Sequence, residues 1–170
     1  METTERIVEA YVRYIKGWAT IPNIRCAGQY EIDLLAIDPV NLNRYHIEVG
    51  VSISNAFSKL TAKPFSREEL KQRSKMPSLR RTIGYFIERK FNVPEVIETL
   101  QGYGYRDDYG KIVVSWSWAE VAEQQAKDAG ITLWDFRKMI QEIGERFKRT
   151  NAYFTDDTLR TLQLFAKTLG

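Results

Sequence analysis

Two stretches of alternating pattern, YEIDLLAI from Tyr30 and RYHIEVGVSI from Arg44, flank the six residues DPVNLN. Their β-branched and aromatic content, with a turn-forming spacer, predicts two strands joined as a hairpin. What most constrains the fold is that each apolar run contains a carboxylate, Asp33 in the first and Glu48 in the second. Strand side chains alternate between faces, so each acid has a definite side. Parity puts Ile32, Leu34 and Ala36 on one face and Glu31 and Asp33 on the other. In the second strand Tyr45, Ile47, Val49 and Val51 oppose His46, Glu48, Gly50 and Ser52.

If the acid-bearing faces coincide, facing Cβ atoms lie about 5 Å apart. Two carboxylates that close repel unless a cation neutralises them. Mg²⁺ suits such a pair, because it takes oxygen ligands at about 2.1 Å and often uses only one or two protein carboxylates. The alternative is two unrelated, solvated acids on an open sheet face, since acids are depleted in strands but tolerated at edges.

The remaining elements supply a frame. An apolar stripe predicts a helix over residues 3–17, capped by Thr3 or Thr4 and ended by Gly17. A short strand is expected at Ile24–Ala27. Ser66 and Glu69 have capping-box spacing, and Pro77 opens a helix to about Phe91. Pro94–Leu100 reads as a short helix, KIVVSWSW as a strand, and Ser117 with Glu120 as the cap of a helix ending before Gly130. ITLWDF is another strand, and Asp135 starts a helix to about Arg149. A strand–helix–strand unit from Lys111 to Phe136 demands a parallel crossover, so the class is α/β with a mixed sheet of about five strands flanked by helices.

At 170 residues the chain reads as one domain, residues 1–150, with an amphipathic helix over 151–170. Cys26 is the only cysteine, which excludes an intrachain disulfide or a cysteine-built zinc site. The N-terminus lacks the apolar block of a secretory leader, and no run approaches the roughly 18 apolar residues of a membrane span. A cytoplasmic location is the expectation.

EID at 31–33 and IEVG at 47–50, with 14 residues between Asp33 and Glu48, resemble the motif of the PD-(D/E)XK, or restriction-endonuclease-like, nuclease superfamily. The element order over residues 3–145 is similar to that of archaeal Holliday-junction resolvases and restriction-type enzymes. The resemblance implies a Mg²⁺- or Mn²⁺-dependent DNA endonuclease. Asp33, Glu48 and the backbone carbonyl of Val49 would bind the metal, and a glutamate of the first helix, Glu5 in preference to Glu9, would assist. The motif's lysine is absent, for Gly50 stands in its place. Lysine migration occurs in this superfamily, making Lys59 the first candidate for a replacement and Lys63 the second. Otherwise the fold persists as a catalytically inactive nucleic-acid-binding or assembly protein.

Charge is unevenly spread along the chain. The net charge is +3, yet the window from Lys59 to Lys90 alone carries +7. Arg73, Lys75, Arg80 and Arg81 are accordingly candidates for gripping a DNA backbone. Four tryptophans read as packing residues, with Trp116 and Trp118 on one strand face. Leu159, Leu162, Phe165 and Leu169 form a stripe that either packs on the domain or seals a homodimer.

Overall fold

The computed structural model describes residues 2–54, 58–65 and 81–169. Its centre is a five-stranded mixed sheet whose strands lie side by side in the order 19–25, 31–37, 44–50, 110–115 and 131–135. Helix α1 (Thr3–Tyr14) precedes β1 (Ala19–Arg25), β2 (Glu31–Ile37) and β3 (Arg44–Gly50). These three strands form the antiparallel meander. After β4 (Lys59–Leu60) come α2 (Ile83–Phe86), a π-helical turn (Ile87–Phe91) and α3 (Pro94–Gly102). Next are β5 (Gly110–Ser115), β6 (Ser117–Trp118), α4 (Glu120–Asp128), β7 (Ile131–Asp135), α5 (Phe136–Arg149) and α6 (Asp157–Thr168). Strands β3, β5 and β7 run parallel, and α4 makes the crossover between the last two. β4 and β6 form a small parallel pair of their own.

Alternation divides the core into two sides. Leu34, Ala36, Ile47, Ile112 and Val114 pack against α1, α5 and α6, with Phe136, Met139, Ile143 and Phe147 supplied by α5. The opposite face meets α2, α3 and α4 through Leu35, Val113, Phe86, Phe91, Val96 and Leu100. Each side takes every second strand residue, as a sheet covered on both faces requires.

Several local expectations are corrected. β1 is Ala19–Arg25 rather than Ile24–Ala27. Glu2, not Thr3 or Thr4, caps α1, in a reciprocal box with Glu5. Ala119 caps α4, while Ser117 lies in β6 and donates its hydroxyl to the Ser58 carbonyl. Trp116 and Trp118 belong to opposite sides of the sheet. Ile32 packs with Ile24 and Leu35 instead of following Leu34. There Asn23 adopts φ 52°, and the β1–β2 pairing skips from Pro22↔Leu34 to Ile24↔Ile32. The cap proposed at Ser66 and Glu69 and the helix start at Pro77 lie outside the described residues.

Candidate active site

The register Leu34↔Ile47 and Leu35↔His46 extends to place Asp33 opposite Glu48. Both carboxylates do face the same side, towards the π-helical turn. Asp33 Oδ2 accepts the Val49 N–H at 2.8 Å, tying the acid of β2 across to the backbone of β3. A strand residue sends its N–H and C=O towards the same neighbour, so the Val49 carbonyl is on the Asp33 side as well.

The cation that answers these acids is Lys90. Its Nζ lies 3.2 Å from Asp33 Oδ1 and 2.5 Å from Glu48 Oε2. The Glu48 contact is an ion pair whose direction does not satisfy a hydrogen bond. Lys90 also donates to the Glu31 carbonyl at 3.2 Å. The π-helical turn explains the reach: the Asn92 N–H bonds back five residues to the Ile87 carbonyl, widening the helix at this point. Such single-turn widenings recur at functional sites.

Gly50 is closed by packing. A Cβ there would meet the Phe86 ring at 2.6 Å, so α2 fills the space a longer side chain would need. The sequence expectation for the replacement lysine is therefore corrected. Lys59 is exposed in β4 beside Ser117, and Lys63 is exposed in the following segment. Neither forms an ion pair with the acids, whereas Lys90 bridges both. Lys90 was visible in the sequence only as one of ten bases in a charged window; its place depends on a helical register that no spacing rule reports.

His46 lies beneath Glu48, wholly buried, with Nε2 at 2.6 Å from Glu48 Oε1. Phe91 stands edge-on to the ring at 4.8 Å. Burial, with Lys90 adding repulsion, pushes the imidazole down to about 3, so it is neutral at ordinary pH. The same burial pushes Asp33 up to about 7, reinforced by the charge of Glu48 and opposed by Lys90. Glu48 is raised by burial against the pull of Lys90. Burial works against the charge of Lys90, but Glu48 and Asp33 outweigh it and hold the ammonium protonated.

Glu5 and Glu9 have different surroundings. Glu5 is raised mainly by burial and also feels Asp33, which places it within electrostatic reach of the site. Glu9 is occupied elsewhere, accepting from Thr20 Oγ1 at 2.9 Å and pairing with Arg13 at 3.7 Å. Arg81 is half-buried and donates Nη2 to the Val51 carbonyl at 3.3 Å. Arg73, Lys75 and Arg80 lie outside the described residues.

Among the described residues no three His, Cys, Asp or Glu side chains cluster as a metal site. The pair nevertheless fits a hard divalent cation in kind. It offers oxygen donors, one or two carboxylates suffice for Mg²⁺, and burial raises both acids despite the ammonium beside them, so a second positive charge there is favoured. Any such ion competes with Lys90 for Asp33 Oδ1 and Glu48 Oε2.

No family model and no curated protein matches the chain. One solved structure, titled as that of a protein of unknown function, AF1548, is similar over 84% of this chain and 67% of its own. The two share 16% identity at a TM-score of 0.49. Among the described residues no helix is long and apolar enough to cross a membrane.

Proposed function

We propose that the chain is a divalent-metal-dependent DNA endonuclease of the PD-(D/E)XK superfamily, acting in the cytoplasm, with Lys90 in the role of the missing motif lysine. The observation that carries this reading is the contact of one partly buried ammonium with both Asp33 and Glu48. An acid from each of two paired strands and a lysine from a helix thereby meet at one point, although the lysine is 42 positions beyond Glu48 in the sequence.

Asp33, Glu48 and the Val49 carbonyl would hold Mg²⁺ or Mn²⁺. Bound there, such an ion lowers the pKa of a water and polarises a phosphate oxygen. The Val49 N–H keeps Asp33 Oδ2 oriented, leaving Oδ1 as the oxygen that faces Lys90. Lys90 has a flexible four-carbon stem, so its ammonium can leave the carboxylates and meet a phosphodiester oxygen at the mouth of the site. Glu5 adds negative charge near Asp33. Arg73, Lys75, Arg80 and Arg81 supply phosphate contacts that position the backbone without reading sequence.

The test is cleavage of supercoiled, single-stranded and branched DNA with Mn²⁺ or Mg²⁺. Asp33→Asn and Lys90→Met should each lose at least about 100-fold in rate, the scale of removing one group that stabilises transition-state charge. Equal cutting by wild type and Asp33→Asn would assign the activity to a contaminant and end the proposal. One observation favours the inactive alternative: Glu48 is fully buried, with Oε1 taken by His46 and Oε2 by Lys90. A binding module of this kind would retain salt-sensitive DNA affinity and show no metal-dependent cutting.

A further inference from the structure

Glu48 can present its two oxygens in either order about the end of its side chain, and only one order is useful to a cation beside Asp33. His46 is two residues earlier on the same face of β3, and both side chains are fully buried. Its Nε2 is 2.6 Å from Glu48 Oε1, while Glu48 Oε2 faces Lys90. The Lys90 ammonium at 2.5 Å from Oε2 holds Glu48 as a carboxylate, which has no proton to give, so the ring is the donor in this contact. That fixes the tautomer: the proton is on Nε2, and Nδ1 carries a lone pair. Nδ1 is buried and has no hydrogen-bond partner among the described residues.

An unpartnered buried nitrogen costs stability, on the scale of a lost hydrogen bond. A phenylalanine or leucine would fill the same space beside Phe91 without that cost. The imidazole therefore contributes something an apolar side chain would not. Among the described residues its one polar contact is with Glu48, and the ring is flanked by Phe91 at 4.8 Å and Tyr109 at 6.4 Å. The aromatic walls fix the plane of the ring, and the ring fixes the carboxylate.

We propose that His46 is a positioning residue that donates from Nε2 to Glu48 Oε1 and so commits Oε2 to the cation shared with Asp33. This deepens the metal reading above and rests on it for the identity of that cation when Lys90 is displaced. Groups of this kind, one bond removed from a metal ligand, typically alter metal affinity 10–100-fold when lost.

The experiment has two arms on the full chain. Long-range ¹H–¹⁵N NMR of the metal-free protein reads the tautomer of its single histidine directly. The expected result is a proton on Nε2 with a bare Nδ1; a ring protonated on Nδ1 overturns the proposal. In the second arm Mn²⁺ is titrated calorimetrically into wild type, His46→Gln and His46→Leu. Glutamine places an amide N–H close to where Nε2 stands and should keep the dissociation constant within about threefold of wild type. Leucine fills the space but cannot donate, and should weaken Mn²⁺ at least about tenfold while circular dichroism shows a folded protein. Wild-type affinity in folded His46→Leu overturns the positioning role. If wild type itself takes up no Mn²⁺, the metal reading fails, and the tautomer still decides whether His46 orients Glu48.

Discussion

Ile47 and Glu48 are consecutive residues of β3, both without solvent exposure, and they face opposite sides of one sheet. Ile47 is covered by apolar side chains of α1 and α5. Glu48 is covered by one ammonium, one imidazole and the carboxyl of Asp33. Burial stabilises the first arrangement without conditions, because dispersion and water release do not depend on protonation. The second holds only while its charges are balanced, since removing one partner leaves a buried charge uncompensated. Both sides of the sheet carry apolar core, and only the side of Glu48 adds to it a cluster whose stability depends on protonation.

The strongest way to break that contrast is to delete the cation. Lys90→Ala should cost about 3–5 kcal/mol at pH 8, the penalty for orphaning a buried charge partner. Ile47→Ala should cost about 2–5 kcal/mol through a cavity. The two are distinguished by pH in denaturant titrations. At pH 5 the Ile47 loss should be unchanged, whereas the Lys90 loss should shrink as the orphaned acids take up protons. A Lys90→Ala penalty that is the same at both pH values would show the ion pair to be unimportant to the folded state.

A second set of measurements sharpens the contrast within the acid side. Asp33 is raised from 3.8 to about 7, so the folded protein holds more protons than the unfolded chain between those values. Its stabilising share is complete below about pH 4 and is lost as pH rises through about 7. Glu48 shifts in the same direction. His46 is lowered from 6.5 to about 3, with the opposite consequence: its share is present above about 6.5 and is lost as pH falls towards 3. Over pH 4–6.5 the slopes oppose. Asp33→Asn should therefore turn the stability profile towards rising with pH, and His46→Gln should steepen its fall. Identical profiles for the two variants would mean that the groups do not titrate as buried neighbours.

The sequence exposed much of this arrangement through a single property, the period-two alternation of β2 and β3. Asp33, Glu48 and His46 could be placed on one face because Leu34 and Ile47 had to occupy the other. The crossover through α4 was equally legible, since β5 and β7 are apolar runs joined by a helix of the right length. Lys90 was hidden because its position depends on a π-helical turn, and alternative helical hydrogen bonding leaves no mark in residue spacing. Ile32 was misplaced: it packs with Ile24, its partner across the β1–β2 pairing, beside the left-handed backbone at Asn23. Periodicity reports what regular backbone does, and the site is built where the backbone departs from it.

Gly50 tests the same contrast at smaller cost. Gly50→Ala should destabilise by about 1–3 kcal/mol, the range for overpacking, because the added carbon meets Phe86 at 2.6 Å. Gly50→Lys should fail to restore cutting to Lys90→Ala, since α2 occupies the route to the acids. Restored cutting would show that Phe86 yields easily and that the glycine is incidental to the lysine's relocation.

The mildest comparison is between the two glutamates of α1. Glu9→Ala removes the acceptor of Thr20 and a partner of Arg13, and should cost about 1 kcal/mol. Glu5→Gln keeps an acceptor for the Glu2 N–H while removing a charge that repels Asp33. With less repulsion Asp33 should ionise more readily, so its titration should move down from about 7. The ¹³C carboxyl resonance of Asp33 reads that movement directly. A downward shift in Glu5→Gln and none in Glu9→Ala would join the start of α1 to the acid side of the sheet, although the rest of that helix packs on the apolar one. No shift in either would leave α1 wholly with the core.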